Sequence, residues 1–560
     1  MVSTFVTAIS IAVATILVIA VSLSVFYYYI HPKHKSGLVL ATCTFSLVTS
    51  LLTLAILPLD VYIVSSNLTQ YGTQWDVAEV QKMQRVINGL YMYTYVASAA
   101  LTFFALPLAY FYFEEEREDD TACQRLGYAV KFALGFAIFF IVVVVVSFFV
   151  YNGGTASVDW QKRIVHNFDD FDRFISFVVS VLSIMGLLVF VTHTAYGLVM
   201  VPAGLWRSQA AAAAGDREAL LAENTDIQRQ IVARDEQALF LRTEAAASRG
   251  SQRGAPSSGM EFRSKYAQEV AYSLGVGESA ETKASLAEVR REKRELESRL
   301  QANTAAIEFE DEMSSSNATC WKVSAPVRIV LSVVAFAPSL LIFLQLMLST
   351  VNRLRHSTCK WSCGFVLSDH VDPAMNPIDN ALKLMSSAFP ADTALYGAVV
   401  VYIFVGSIVG MMALGVRCFC VSLYAFRPHG TPANGMVLGT ALLSLVALVL
   451  GQQMFAIAPQ YSSFGRQQYL DSSLVKHPCD VKYTGLYPSM CVLTKAGAFV
   501  LKTNIKTPFF GVVQFFGTLA FLLAMVGSCV YAIFRSRSSW NSNHAQSDDP
   551  DAVGYTGIGR

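Results

Sequence analysis

The sequence predicts an all-α polytopic membrane protein with nine transmembrane helices and one large cytosolic helical loop. Of its 560 residues, 54% are apolar and only 15% are charged, whereas a soluble domain carries about 25% charged residues. Nine apolar runs exceed the roughly 20 residues that a helix needs to cross a bilayer. They cover residues 6–30, 38–63, 87–113, 130–151, 174–202, 326–348, 394–416, 436–458 and 508–534. An odd number of spans places the two termini on opposite sides of the membrane.

A long polar block separates five of these spans from the other four. Within it, residues 216–247 and 281–312 carry apolar side chains at spacings of three and four, the pattern of an amphipathic helix. Polar residues such as Asn224 and Asn303 interrupt both apolar stripes, so each stripe forms only a weak seam. We predict a cytosolic helical hairpin whose remaining apolar positions bind a partner helix. The alternative is a loop with helical tendency only.

This pattern divides the chain into four predicted parts. Residues 1–203 form an N-terminal membrane half with five helices, and residues 204–322 form the cytosolic hairpin or coiled-coil loop. Residues 323–534 form a C-terminal membrane half with four helices, and residues 535–560 form a disordered cytosolic tail rich in Ser, Asn and Asp. The net charge of +1 gives no reason to expect nucleic acid as a partner.

The charges beside the first span predict which side of the membrane each terminus faces. No charged residue precedes that span, and the basic segment at residues 31–35 follows it directly. Lysine and arginine are retained in short cytosolic loops. The N-terminus is therefore predicted on the lumenal, non-cytosolic side, and the polar block and the C-terminus are predicted in the cytosol.

Five residues in the predicted lumenal loops are candidates for covalent modification. Cys359 and Cys363 follow the sixth span, and Cys479 and Cys491 follow the eighth. Disulfides persist on the non-cytosolic side of a membrane, so we predict one bond within each pair. The sequon that begins at Asn67 falls on the same side and is predicted to carry a glycan.

Two ionisable residues inside the predicted spans are candidate functional groups. Asp60 lies near the lumenal end of the second span, where it is either a polar ligand facing the lumen or a helix-end residue without a function. His193 lies near the cytosolic end of the fifth span, and neither a histidine nor a carboxylate stands three or four residues after it. That spacing favours a histidine hydrogen-bonded between helices over a metal ligand, so no metal site is predicted.

The other polar groups within the spans give little sign of chemistry. Glutamines at positions 345, 452, 453 and 514 serve helix packing or line a polar cavity. The chain carries no Walker A, GxSxG or HExxH motif, and these are the patterns that would predict nucleotide, ester or peptide chemistry. No series of carboxylates along the spans predicts a proton relay. We therefore expect a protein that is not an enzyme and holds no catalytic cofactor.

The tail contains a candidate sorting signal. Tyr555 and Ile558 stand three positions apart in the sequence Tyr-Thr-Gly-Ile. Clathrin adaptors bind such tyrosine-based peptides in extended form, with the tyrosine and the bulky apolar residue in separate pockets. A clathrin adaptor is therefore a predicted partner of the cytosolic tail.

Several segments in both membrane halves match a known family. They are residues 57–66, 106–115, 194–197, 223–227, 389–392, 458–461 and 468–470. On these segments the sequence resembles the lysosomal cobalamin transport proteins of the limb-region membrane protein family, the LIMR family. Cys479 and Cys491 also match a lumenal cysteine pair of that family.

The resemblance implies a multi-pass protein of the lysosomal membrane. It implies export of cobalamin from the lysosome to the cytosol, either as the transporter or as the escort of an ABC-type transporter. Cobalamin would then be a transported ligand and not a catalytic cofactor. The alternative offered by the wider family is a plasma-membrane receptor or an endocytic adaptor.

Overall fold

A computed structural model describes most of the chain. The described residues are 18–20, 22–30, 37–66, 77–114, 122–151, 170–206, 209–252, 287–297, 299–300, 303–304, 307, 325–357, 360–361, 365, 376–418, 421–424, 426, 431–470, 476–479 and 491–547. The chain divides into two compact units. The first consists of Met1–Trp206, Val323–Phe426 and Thr431–Arg560, and the second of Arg207–Lys322 and Arg427–Gly430.

The secondary structure is almost entirely helical. In chain order the elements are α1 (Val18–Tyr29), α2 (Gly37–Ser66), α3 (Val77–Ala100), α4 (Leu106–Glu114), α5 (Ala122–Tyr151), α6 (Asp170–Val189), α7 (Ala195–Trp206), α8 (Gln209–Gln252), α9 (residues 287–297), α10 (Ala325–His356), α11 (Pro377–Met385), α12 (Ala391–Leu414), β1 (Val416–Cys418), β2 (Val421–Tyr424), α13 (Ala433–Ile457), α14 (Pro459–Phe464), β3 (Gln468–Leu470), β4 (Lys476–Pro478), α15 (Lys495–Lys506) and α16 (Pro508–Ser547). Strands β1 and β2 pair antiparallel, as do β3 and β4.

The predicted all-α polytopic membrane fold is confirmed. Among the described residues, eight segments are long and apolar enough to cross a membrane. They are Gly37–Ser66, Lys82–Phe113, Cys123–Phe149, Arg173–Leu205, Ile329–His356, Ala391–Leu414, Ala433–Ile457 and Pro508–Ile533. The first predicted span, residues 6–30, is described only from residue 18 onward, where α1 is shorter than a full span. The count of nine and the cytosolic side of the loop therefore remain predictions.

Two of the eight spans are interrupted by π-helical turns. Leu101–Ala105 joins α3 to α4, and Phe190–Thr194 joins α6 to α7. A π turn inserts one extra residue and re-aims the side chains that follow it. At the other end of the chain, α16 continues to Ser547, beyond the predicted end of the last span at residue 534 and into the segment that the sequence predicts to be disordered.

Helix α13 is the centre of the first unit. Of its apolar window, 72% is buried, against 67% for α2 and only 17% for α5. A helix that is apolar on all sides and still buried lies inside a bundle. The low burial of α5 leaves its apolar side chains facing outward, as expected of a helix in contact with lipid.

Helices α7 and α12 pack with their backbones in direct contact. A side chain at Gly197 would collide with the carbonyl group of Gly406, and one at Gly410 would collide with the carbonyl group of His193. Such small-residue contacts are typical of helix pairs in membranes, where close van der Waals packing stabilises association.

The second unit contains α8 and α9, which lie in the two regions predicted to be helical. Ion pairs join them: Arg234 to Glu292 at 3.2 Å and Lys293 to Asp235 at 2.6 Å. The hydrogen bond that the Lys293 ammonium group donates to Asp235 raises the pKa of Lys293. Arg234 and Lys293, which interrupt the apolar stripes, thus contribute their own contacts between the helices, although such exposed pairs stabilise little.

Candidate functional site

Three carboxylates and two tyrosines form a buried cluster at one end of the first unit. We name Asp60, Asp379, Asp392, Tyr396 and Tyr461 the acid–tyrosine cluster; none is more than 5% exposed. The rings of Tyr396 and Tyr461 lie 5.7 Å apart, and Tyr396 is close enough to Asp60 and Asp379 to interact with both electrostatically. Helices α2, α11, α12 and α14 each supply at least one member.

Asp60 lies at the N-terminus of α15. Its carboxylate accepts a hydrogen bond of 2.9 Å from the backbone N–H of Ala496, and the Thr494 hydroxyl caps the same helix by accepting from Gly497 at 3.1 Å. The first N–H groups of a helix have no partner within it and carry partial positive charge. That charge makes the burial of the Asp60 carboxylate less costly.

Asp379 likewise lies at the N-terminus of a helix, in this case α14. Its two carboxylate oxygens accept hydrogen bonds from the backbone N–H groups of Gln460 and Tyr461, each at 3.0 Å. Burial raises the pKa of Asp379 to about 6, and the two backbone donors and Lys383 oppose that rise. Sequence reasoning missed this residue. The available signal was Pro377 and Pro459, because proline is favoured at the first position of a helix.

Asp392 differs from the other two carboxylates. It is fully buried, and neither of its carboxylate oxygens has a hydrogen-bond partner. The buried hydroxyl groups of Thr393 and Tyr461 also have none. Burial raises the pKa of Tyr461, and the neighbouring Asp392 carboxylate raises it further. The Tyr461 hydroxyl therefore lies within reach of both Asp392 and Thr393, although no hydrogen bond of acceptable length and angle joins the three side chains.

An arginine lies beside the cluster. The Arg466 guanidinium donates to the backbone carbonyl groups of Ser65 and Ser386 at 3.0 and 3.2 Å. It also lies 4.2 Å above the ring of Phe389, which stacks on Tyr62 at 5.1 Å. These contacts, including a cation–π interaction, hold the arginine close to α2 and to the chain that enters α12.

Two small cavities lie inside the helix bundle. Each has a volume of about 20 Å³, which is enough for about one water molecule. The first is lined by polar groups from four helices: Ser180, Ser183, Gln452, Gln453, Thr503, Asn504 and Gln514. The second is lined by Thr53, Tyr91, Tyr95 and the same Gln452. Because Tyr91 also lies next to Asp60, polar groups extend from the first cavity to the acid–tyrosine cluster.

The glutamines of the first cavity also bind neighbouring helices. The Gln514 side chain donates to the backbone carbonyl of Gln452 at 2.9 Å, and the Thr518 hydroxyl donates to the side-chain oxygen of Gln453 at 3.0 Å. Both uses expected from the sequence, helix packing and a polar cavity, therefore occur together at α13 and α16.

His193 lies in the π turn between α6 and α7 and is 5% exposed. Its Nε2 atom donates to the carbonyl of Gly415, just after α12, at 3.2 Å, and its Nδ1 atom lies 2.9 Å from the Thr192 hydroxyl. This is the geometry of a histidine hydrogen-bonded between helices. Within the described part of the chain, no group of three His, Cys, Asp or Glu residues could hold a metal ion.

A disulfide joins Cys479 to Cys491, and both residues are buried. Close to it, the Gln460 side chain donates to the carbonyl of Cys479 at 2.9 Å. The disulfide therefore attaches the chain before α15 to the chain after α14. The remaining sequence-predicted site residues lie outside the described residues: Asn67, Cys359, Cys363, Tyr555 and Ile558.

These features define an all-α polytopic membrane protein with a buried carboxylate cluster and a polar interior. The chain belongs to the LMBR1-like membrane protein family, whose model matches residues 7–523. No solved structure matches the chain.

Its curated relatives cover nearly its whole length. A "Probable lysosomal cobalamin transporter" of Coccidioides immitis is 26% identical over 91% of this chain and 87% of its own. A protein of the same name from Nematostella vectensis is 25% identical over 94% of each chain. One from Aspergillus terreus is 26% identical over 90% of this chain and 86% of its own. All three relatives are named as transporters.

Proposed function

We propose that this chain is a multi-pass protein of the lysosomal membrane that serves the export of cobalamin from the lysosome to the cytosol. The observation that carries the proposal is the match, over about nine tenths of the chain, to relatives named as probable lysosomal cobalamin transporters. A match of this extent covers both membrane halves and the polar block. It therefore favours a shared function over a shared single domain.

The interior of the first unit is compatible with this ligand. Cobalamin is large and polar and carries several carboxamide groups, so it needs a protein route through the bilayer. The first cavity offers the side-chain amides of Gln452, Gln453, Asn504 and Gln514, which both donate and accept hydrogen bonds. Each cavity holds only about one water molecule, so passage of cobalamin requires the helices to separate.

The finer assignments also belong to the proposal. The N-terminus faces the lumen and the C-terminus the cytosol; Asn67 carries a glycan, and Cys359 bonds Cys363. The tail binds a clathrin adaptor through Tyr555 and Ile558. The chain serves export either as the transporter itself or as the escort of an ABC-type transporter, which would supply the free energy, since the sequence carries no nucleotide-binding motif of its own.

Lysosomes from cells that lack this protein should accumulate labelled cobalamin, and the wild-type chain should restore its release. Gln452→Leu removes an amide that lines both cavities. The rate of cobalamin release with this variant should be lower than with the wild type, by up to about tenfold for one lost polar contact. The control is Gln228→Leu, at an exposed position of α8, which should rescue fully.

Two results would decide against the proposal. Normal cobalamin content in lysosomes without the protein would remove the export role, and residence at the cell surface would favour the receptor or adaptor alternative. Proteoliposomes then separate the two forms of the proposal. A transporter takes up cobalamin with this chain alone, whereas an escort does so only when the ABC-type partner is present.

A further inference from the structure

Four buried oxygen atoms close to one another have no hydrogen-bond partner. They are the two carboxylate oxygens of Asp392 and the hydroxyl oxygens of Thr393 and Tyr461. Asp392 is 0% exposed, Thr393 7% and Tyr461 2%. More than nine tenths of buried polar groups in proteins have a partner, so four such atoms at one place require a physical reason.

Among the three buried carboxylates of the cluster, only Asp392 lacks a hydrogen-bond partner. Asp60 accepts from the N-terminus of α15, and Asp379 accepts two N–H groups from α14. Asp392 lies in the first turn of α12, yet its oxygens accept none of that helix's N–H groups. Its carboxylate is directed instead toward Tyr461, whose hydroxyl also interacts with those of Thr393 and Ser65.

The charge of Asp392 has no compensating ion pair among the described residues. Three basic residues near the cluster have other neighbours: Arg466 binds Ser65, Ser386 and Phe389, Lys383 lies near Asp379, and Lys495 lies near Asp60. An ionised carboxylate buried without a positive partner is strongly destabilising. A bound positive charge would remove that cost.

We propose that Asp392, Thr393 and Tyr461 form a binding site for a small monovalent cation. The site holds one positive charge between a carboxylate and two hydroxyl groups, and an alkali cation provides that charge. Oxygen atoms of these types are the ligands preferred by hard cations. The site connects the first turn of α12 with α14, so occupancy stabilises the contact between these two helices.

The inference does not depend on which solute the protein transports, and its test contains no cobalamin. The full chain is purified in detergent, and its thermal unfolding midpoint is measured in sodium, potassium or choline chloride at equal ionic strength. The key variant is Asp392→Asn, which keeps the shape of the side chain and removes its charge.

An alkali cation should raise the wild-type midpoint by roughly 5 °C over choline at saturation. Asp392→Asn loses that response and has a midpoint no lower than the wild type without cation. Other titratable groups face the site: Asp60, Asp379, Lys383, Tyr396, Tyr461 and Arg466. They are present in both proteins, so the difference between the two responses reports Asp392.

Thr393→Val and Tyr461→Phe keep the charge and each remove one hydroxyl group. Each should raise the alkali concentration needed for half of the midpoint shift. These variants also decide the matter if Asp392→Asn fails to fold. The proposal is overturned if the wild type and Asp392→Asn respond equally to sodium, potassium and choline. It is equally overturned if neither hydroxyl variant changes the response of the wild type.

Discussion

The three buried carboxylates of the acid–tyrosine cluster have different environments. Asp60 and Asp379 each bind the N-terminus of a short helix, which is the position where backbone N–H groups are otherwise unpaired. Each therefore has a structural use that explains its burial. Only Asp392 is left without a partner in the described chain, and for that reason it carries the inference of a cation site.

At Asp379 the pH dependence of stability can be predicted. Burial raises its pKa from 3.8 to about 6, so the folded protein holds a proton that the unfolded chain releases. The resulting stabilisation is complete below about pH 4 and is lost as the pH rises through about 6. Relative to Asp379→Asn, the wild-type free energy of unfolding should fall by roughly 3 kcal/mol between about pH 4 and pH 8.

Unfolding of both proteins in detergent across this pH range measures the difference. Comparing the two cancels titrations elsewhere in the chain, because those groups are common to both. If the stability of both proteins changes with pH in the same way, Asp379 has its ordinary pKa. The hydrogen bonds from the N–H groups of Gln460 and Tyr461 would then offset the effect of burial on that pKa.

At the scale of elements, two breaks between helices shape the interior. α13 ends at Ile457, and Ala458 separates it from α14. α15 ends at Lys506, and Thr507 separates it from α16. Both junction residues have non-helical backbone angles. Helix breaks at membrane depth are tolerated where they are buried in protein or line a cavity. Phe499, Val500 and Thr503 of α15 line the first cavity, so the short helix forms part of its wall.

The contact between α7 and α12 gives a test of packing. Gly410→Ala places a methyl group against the carbonyl of His193, and overpacking of this kind costs about 1–3 kcal/mol. The unfolding midpoint in detergent should fall accordingly. Gly89→Ala is the matched control, because no atom lies within 4 Å of the added group. It should leave stability within about 0.5 kcal/mol. Equal effects of the two substitutions would contradict the close backbone contact.

At the scale of the whole molecule, burial separates a centre from a periphery. α13 and α2 are mostly buried, while α5 exposes apolar side chains such as Phe139 and Phe149. Lipid provides the surroundings for such side chains, so the bundle needs no further protein layer around α5. The polar side chains that line the two cavities come from helices α2, α3, α6, α13, α15 and α16.

The tail provides a prediction about location. If the C-terminus is cytosolic, Tyr555→Ala removes the aromatic anchor of an adaptor-binding peptide and should shift the protein from lysosomes to the cell surface. Surface biotinylation measures the shift, and Asp551→Ala, four residues upstream, serves as the control. An unchanged distribution of Tyr555→Ala would mean that the sorting signal lies elsewhere, and residues 204–322 would be the next segment to test.

The sequence by itself determined the fold class. Apolar runs of about 20 residues predict spanning helices, because inside a bilayer a helix satisfies its own backbone hydrogen bonds. The polar block likewise predicted its two helical regions from their spacing. These are local properties, and each can be read from one stretch of chain without knowing its neighbours.

Only the tertiary structure decided which polar residues contact one another. The sequence marked Asp60 but not Ala496 as its partner, 436 residues away, and it gave no sign that Asp379 and Asp392 would lie beside Tyr461. Such meetings depend on how the helices pack and where they break, which is settled by close contacts such as that of Gly410 with His193. The sequence around a carboxylate at a helix end does not show whether the carboxylate faces water or the N-terminus of another, buried helix. Only the packing of the helices distinguishes these two environments.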